Sequence, residues 1–169
     1  MKKDERNYNI ITFGKRVDNL LISLENNVIG TFLRTAPEYI FNGATIFLHC
    51  RSLIWGKATI SSDYYYDEME IWSDKIYPHR FKIKDIRLTT EPLSLVGSGY
   101  NDKFREKHGA GWAYKFIFAP KPLPNEIAIK IEYDLDSRFN CEYEEFKKRI
   151  LEASRSGKAL NPKKNGIKI

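Results

Sequence analysis

Trp72-Ser73-Asp74-Lys75-Ile76-Tyr77-Pro78-His79-Arg80-Phe81-Lys82-Ile83-Lys84 is the stretch whose reading decides the fold. Its second half, Phe81-Lys82-Ile83-Lys84, alternates apolar and basic residues at the period of a half-buried strand. Upstream, Ala44 to Cys50 and Leu53 to Ile60 are short runs dense in β-branched and aromatic residues, so three strands of one sheet are expected here. Between the second and third lie Tyr64-Tyr65-Tyr66, an acidic turn at Asp67 and Glu68, then Trp72 and Tyr77. Rings concentrated in a connection, where polar residues are usual, point to a flat ligand, because aromatic faces stack on planar groups.

Working outward, Tyr8 to Phe13 reads as a first strand bounded by Gly14, and Asp18 as the N-cap of a helix burying Leu20, Leu21 and Leu24 until Asn26-Asn27 stops it. Val28 to Leu33 reads as a strand with a glycine inside it, where a backbone or ligand comes close. Pro37 suits the first turn of a short helix through Phe41, and Asn42-Gly43 turns the chain. Arg80 to Leu88 is expected to be a strand that Pro92 closes, and Val96 to Gly111 a long loop or loop-helix insertion carrying Lys103, Arg105, Lys107 and His108. Trp112, Tyr114, Phe116 and Phe118 at alternate positions predict a strand, and Ile127 to Tyr133 predicts another. From Glu142 the pattern is helical, with Phe146, Ile150 and Leu151 on one face and Asn140 as a candidate cap.

The 169 residues suffice for one ordinary core. With 28 basic against 22 acidic side chains the formal charge is +6, which makes a polyanion a natural partner to consider. No apolar run approaches a membrane span and the start lacks the apolar region of a signal peptide, so a soluble, cytoplasmic protein with no membrane partner is expected. Cys50 and Cys141 make no metal-ligand spacing and read as free thiols.

The order Gly30, Asn42-Gly43, an apolar strand, Gly56-Lys57-Ala58, Tyr65 to Asp67, Ile71-Trp72 and Tyr77-Pro78-x-Arg80-Phe81-Lys82 resembles the EVE domain, a PUA-like family related to the YTH readers of methylated adenine. The resemblance spans roughly Asn7 to Lys130, and the Tyr-Pro-x-Arg-hydrophobic-Lys run is its most specific part. It implies an α+β fold, a small mixed PUA-like β-barrel with a few short flanking helices and a C-terminal helix. Residues 1–140 would form the domain, 141–154 a helix packed on it and 155–169 a basic flexible tail. It also implies a pocket for a flipped base. Trp72 falls where the YTH relatives place a cage tryptophan, and Tyr77 near their second wall. Ile29-Gly30 falls on a Trp-Ser or Trp-Gly pair, so Ile29 replaces a ring, and Trp112 matches a tryptophan that some EVE sequences carry.

The expected base pocket is therefore Ile29, Gly30, Trp72, Tyr77 and Trp112, with Arg34, Arg80, Lys82, Lys103, Arg105, Lys107 and Lys115 as candidate phosphate contacts. For each ring the alternative is ordinary core packing, and Trp55, inside an apolar strand, reads as core. The function expected is a reader of a modified base in DNA or RNA, without cofactor, metal or catalysis.

Two other classes stay open. A small nucleic-acid-processing or nucleotide-hydrolysing enzyme of the same superfamily could use the acid-rich loop of Asp63, Asp67, Glu68, Glu70 and Asp74, although no His-Glu-x-x-His, Cys-x-x-Cys, Gly-x-Ser-x-Gly or phosphate-loop spacing is present. An interaction module of a defence or RNA-modification assembly is the third. His49, in an apolar strand, reads as a satisfied core histidine.

Overall fold

The computed structural model describes residues 7–31, 39–118, 121–139 and 141–156. Its strands are β1 (Tyr8–Thr12), β2 (Val28–Thr31), β3 (Thr45–Cys50), β4 (Leu53–Ile60), β5 (Tyr65–Tyr66) and β6 (His79–Leu93), and its helices are α1 (Val17–Asn26), α2 (Ser98–His108), α3 (Trp112–Ile117), α4 (Asn125–Asp136) and α5 (Tyr143–Ser156). The fold is α+β, with one sheet in the order β1-β3-β4-β6-β2 curling into half a barrel and β5 pairing with β6. The β1–β3 pair is parallel and the other pairs are antiparallel.

Strand β3, interior to the sheet, explains why the sheet is covered on both sides. In β3, Ile46, Leu48 and Cys50 enter a core shared with α1 and α5, while Phe47, on the opposite face, enters a second core with α2, α3 and α4. A strand buried on both faces reads as a continuous apolar run, as Thr45-Ile46-Phe47-Leu48-His49-Cys50 does. Trp55 lies in the first core as expected, its indole N–H donating to the Cys50 carbonyl at 3.1 Å.

The long strand β6 serves three neighbours. Its first part pairs with β2 and β5, so that Arg80 lies between Gly30 and Tyr65, and the later part pairs with β4. The register slips between Lys57 and Thr59, where Asp85 takes φ 50°, the signature of a bulge that bends a strand around a curled sheet. Pro92 sits within the last stretch of pairing rather than ending the strand earlier, since Ile54 still pairs with Leu93.

Several expectations need correction. Trp112 to Phe118 and Ile127 to Tyr133 are not strands; α3 and α4 occupy them. Apolar residues at every second position also contain i, i+4 pairs, and the helix uses those: Trp112 and Phe116 are buried while Tyr114 and Phe118 face outward. In α4 the same split buries Ile127 and Ile131 and exposes Ile129 and Tyr133. The Val96 to Gly111 insertion is mostly the helix α2. Asp18 lies inside α1 rather than capping it, and Asn27, in the left-handed region at φ 52°, closes that helix. The expected cap Asn140 and residues 157–169 lie outside the described residues, as does Pro37, but Tyr39 to Phe41, the described part of the helix expected after Pro37, form a turn and irregular chain rather than a helix. Helix α5 packs Phe146, Ile150 and Ala153 into the first core. No described helix is long and apolar enough to cross a membrane.

Candidate binding site

The connection from β5 to β6 forms one wall of a cavity of about 310 Å³, lined by Trp72, Tyr77, Gly30 and Thr31, with Asn19 of α1 beside them. Ile10 and Phe13 at β1 supply apolar surface, and Phe118 and Lys121 stand at the α3 side. Trp72 and Tyr77 meet edge to face, 5.3 Å between centroids and 82° between planes. Gly30 is required where it is: a Cβ there would fall 2.6 Å from the Trp72 ring and 2.7 Å from Tyr77 Cβ, closer than real contacts allow. The indole lies directly on the β2 backbone.

A connection this polar in composition holds its rings still through hydrogen bonds on two sides. From α1, Ser23 Oγ accepts the Trp72 indole N–H at 3.0 Å, and Asn19 Nδ2 donates to Asp74 Oδ1 at 3.0 Å. Tyr77 OH donates to Asp74 Oδ2 at 2.6 Å. Burial, then this carboxylate, pushes the Tyr77 phenol up to about 12, so it stays protonated and keeps donating. Burial opposes ionisation of Asp74, yet the bonds from Tyr77 and Asn19 outweigh it and hold the carboxyl below its ordinary range. Arg16 and Ser73 are tied to Asp18 in the same way, at 2.7 Å each.

From the sheet side, Arg80 works as a clamp. It is fully buried; Nε donates to the Tyr77 carbonyl at 2.9 Å, Nη2 donates to the Met69 carbonyl, and Nη1 lies 3.3 Å from Asp67 Oδ2. Its guanidinium also stands 5.1 Å from the Trp72 ring centroid, a cation–π contact in a dry setting. The expectation that Arg80 meets phosphate is thus replaced by a different role: it fixes the backbone that presents Trp72 and Tyr77.

Of the five expected pocket residues the structure brings together Gly30, Trp72 and Tyr77. Ile29 is fully buried in the core with α1 and α5, because neighbours in a strand face opposite ways, and it forms no wall of the cavity. Trp112 belongs to the second core, stacked near Tyr100 at 6.5 Å with its N–H on Asn101 Oδ1 at 3.2 Å, and it does not line the cavity either.

The expected cations scatter. Lys103 and Arg105 are exposed on α2, Lys107 pairs with Glu126 at 2.9 Å, and Lys115 donates to the His108 carbonyl at 3.0 Å. Lys82 is exposed and borders a second hollow of about 390 Å³ with Tyr65, Asp67 and Arg80. Arg34 lies outside the described residues. The acidic loop does not assemble a metal site either: Asp67 serves Arg80 and the Met69 amide and Asp74 serves Asn19 and Tyr77, and among the described residues no three potential ligands converge.

Two polar atoms at the cavity go beyond the motif. Asn19 Oδ1 and Thr31 Oγ1 are buried there without a hydrogen-bond partner among the described residues. The Asp74 carboxylate fixes the Asn19 amide with nitrogen toward itself, so the orphan is an acceptor. Leaving such groups unpaired costs about 1–3 kcal/mol each, and among the described residues these two are the ones that line the cavity, Asn9 Oδ1 and Arg51 Nε being unpaired elsewhere. The sequence does carry a signal for Asn19: Asn19 and Ser23 stand one helical turn apart among Val17, Leu20, Leu21 and Leu24, a polar stripe inside an apolar face. No protein-family model and no curated protein matches this chain.

Proposed function

We propose that the chain is a PUA-like, EVE-type reader that binds DNA or RNA by admitting one modified base into the cavity beside Trp72 and Tyr77. One observation carries this reading: an aromatic cavity sized for a single small ligand is lined by Asn19 and Thr31, whose buried Oδ1 and Oγ1 have no hydrogen-bond partner among the described residues. A planar heterocycle offers what such a site lacks, a face for the rings and edge groups for hydrogen bonds, with an N–H directed at the Asn19 acceptor. A methyl group on the base would lie against Ile10 and Phe13. Stacking contributes about 1–3 kcal/mol, similar to the cost of flipping a paired base, so backbone phosphates must supply the net affinity. Lys121 at the cavity and the exposed lysines of α2 are the cations available for that.

The test is a titration of methylated and unmethylated adenosine and cytidine, free and within short oligonucleotides, against the wild type and Thr31→Val. Valine copies the shape of threonine and removes the unpaired hydroxyl. Stability should hold or rise, while affinity for the preferred nucleoside falls by about 1 kcal/mol. Equal affinity for every nucleoside, or none for any, would remove the reader assignment.

A further inference from the structure

The outward half of α3 is an anomaly for a solvated surface. Tyr114 and Phe118 are 63% and 61% exposed, and their rings lie nearly parallel, 17° between planes and 5.8 Å between centroids. Phe118 belongs at the same time to the cavity wall, so the exposed pair continues the cavity outward along one helical turn. A second exposed pair, Ile129 and Tyr133 on α4, lines neither of the two cavities described.

Charge complements the rings. From Ser98 to Lys121 there are five basic and two acidic residues. Lys121 lines the cavity with its ammonium 4.8 Å from the Phe116 ring centroid. Lys115, between the two rings in sequence, spends one bond on the His108 carbonyl, and an ammonium has three donors.

We propose that Tyr114 and Phe118 form a stacking platform for the nucleotide next to the base held in the cavity, with Lys115 and Lys121 reaching the phosphates on either side of it. Two rings 5.8 Å apart leave no room for a base between them, which would need roughly twice the ~3.5 Å contact distance, so the neighbour stacks on the outer face of the pair. Inside a continuous duplex both faces of that base are covered by adjacent pairs, so the platform takes a nucleotide with a bare face. The strand state that fits is single-stranded nucleic acid at this point, whether a loop, an end or an unpaired run. The inference rests on the reading of the cavity as a base site and adds the strand state and the second contact.

The experiment compares three probes: the methylated nucleoside alone, a single-stranded pentanucleotide with that base at its centre, and the same pentanucleotide with abasic neighbours. The proteins are wild type, Tyr114→Ser and Tyr114→Phe, since Tyr114 stands outside the cavity wall and its exposed ring can be removed without touching either core. For the wild type the neighbouring base should tighten binding at least about fivefold over the abasic probe, the low end of one stacked base. Tyr114→Ser should lose that gain and keep its nucleoside affinity, and Tyr114→Phe should keep both.

The platform is overturned if the wild type gains nothing from the neighbour, or if Tyr114→Ser binds the pentanucleotide as the wild type does. It is equally overturned if nucleoside and pentanucleotide weaken together, or if Tyr114 proves to mediate self-association with oligonucleotide affinity unchanged. Normal nucleoside binding with no neighbour gain sinks the platform alone; absence of binding to every probe sinks the cavity reading and the platform with it.

Discussion

The wall that carries Trp72 and Tyr77 and the helical block from Trp112 to Asp136 both bury a tryptophan, yet by opposite means. Trp72 is fixed by polar atoms, through Ser23, and through Asn19, Asp74 and Arg80 acting on its surroundings. Trp112 is fixed by Tyr100, Phe104 and their apolar neighbours, with a single hydrogen bond to Asn101. Apolar packing sets how much is buried and tolerates several geometries, whereas hydrogen bonds hold one geometry. A site that must present rings at fixed angles is accordingly built on the polar side.

The largest expected effect lies in the apolar block. Trp112→Ala should cost about 3–5 kcal/mol in chemical denaturation, as large-to-small changes in a packed core do, while the Trp72 environment, read by fluorescence, stays unchanged until unfolding. A Trp72 signal that shifts in the folded variant would mean that the two regions share their support.

Acid tests whether they share a frame. His49 sits in β3, between the two cores, and burial holds its imidazole down at about 4 against an ordinary 6.5. The unfolded chain takes up that proton first, so the stability linked to neutral His49 is complete above pH 6.5 and falls by about 3 kcal/mol as the pH drops toward 4. His49→Gln should flatten that slope in denaturant melts followed between pH 7 and 4. Separate transitions for Trp72 and Trp112 in the wild type would sharpen the contrast; a single one would limit it to local geometry.

Arg80→Met should cost less in global stability, about 2–3 kcal/mol, since Asp67 is left near solvent while two carbonyls lose charged donors. Its effect on the site should be larger than that figure implies: near-ultraviolet dichroism from Trp72 should flatten while the second core remains. An unperturbed Trp72 signal would mean that the α1 contacts suffice.

The same contrast accounts for what can be read in the sequence. β3, β4 and β6 are legible because strict alternation, or a short continuous apolar run between turns, matches a strand and breaks the helical stripe. α3 and α4 mislead because Trp112, Tyr114, Phe116 and Phe118 satisfy period two and, taken in halves, the helical i, i+4 spacing. Only burial distinguishes the halves. At the site, Gly30, Trp72 and Tyr77 can be named from the motif that resembles the EVE pattern, and Asn19 from the polar stripe it makes with Ser23 on the apolar face of α1, but Thr31 cannot, since an unpaired polar atom has no signature in one chain. Arg80 stands out in the sequence for its charge and matters in the fold for its donors.

The β3–β4 hairpin, finally, is closed by Arg51 and Ser52, both in the left-handed region at φ 50° and 70° without being glycine. Such residues carry a conformational cost of about 1–2 kcal/mol each, and turns of this kind normally use Asn-Gly. β1 joins the hairpin only after the chain from Phe13 to Ala44 has been looped out, a non-local step that comes slowly. The turn is also tied to the rim of the cavity, since the Arg51 amide donates to the carbonyl of the cavity-lining Gly14 at 2.7 Å, so strain stored at Arg51 and Ser52 lies one hydrogen bond from the site.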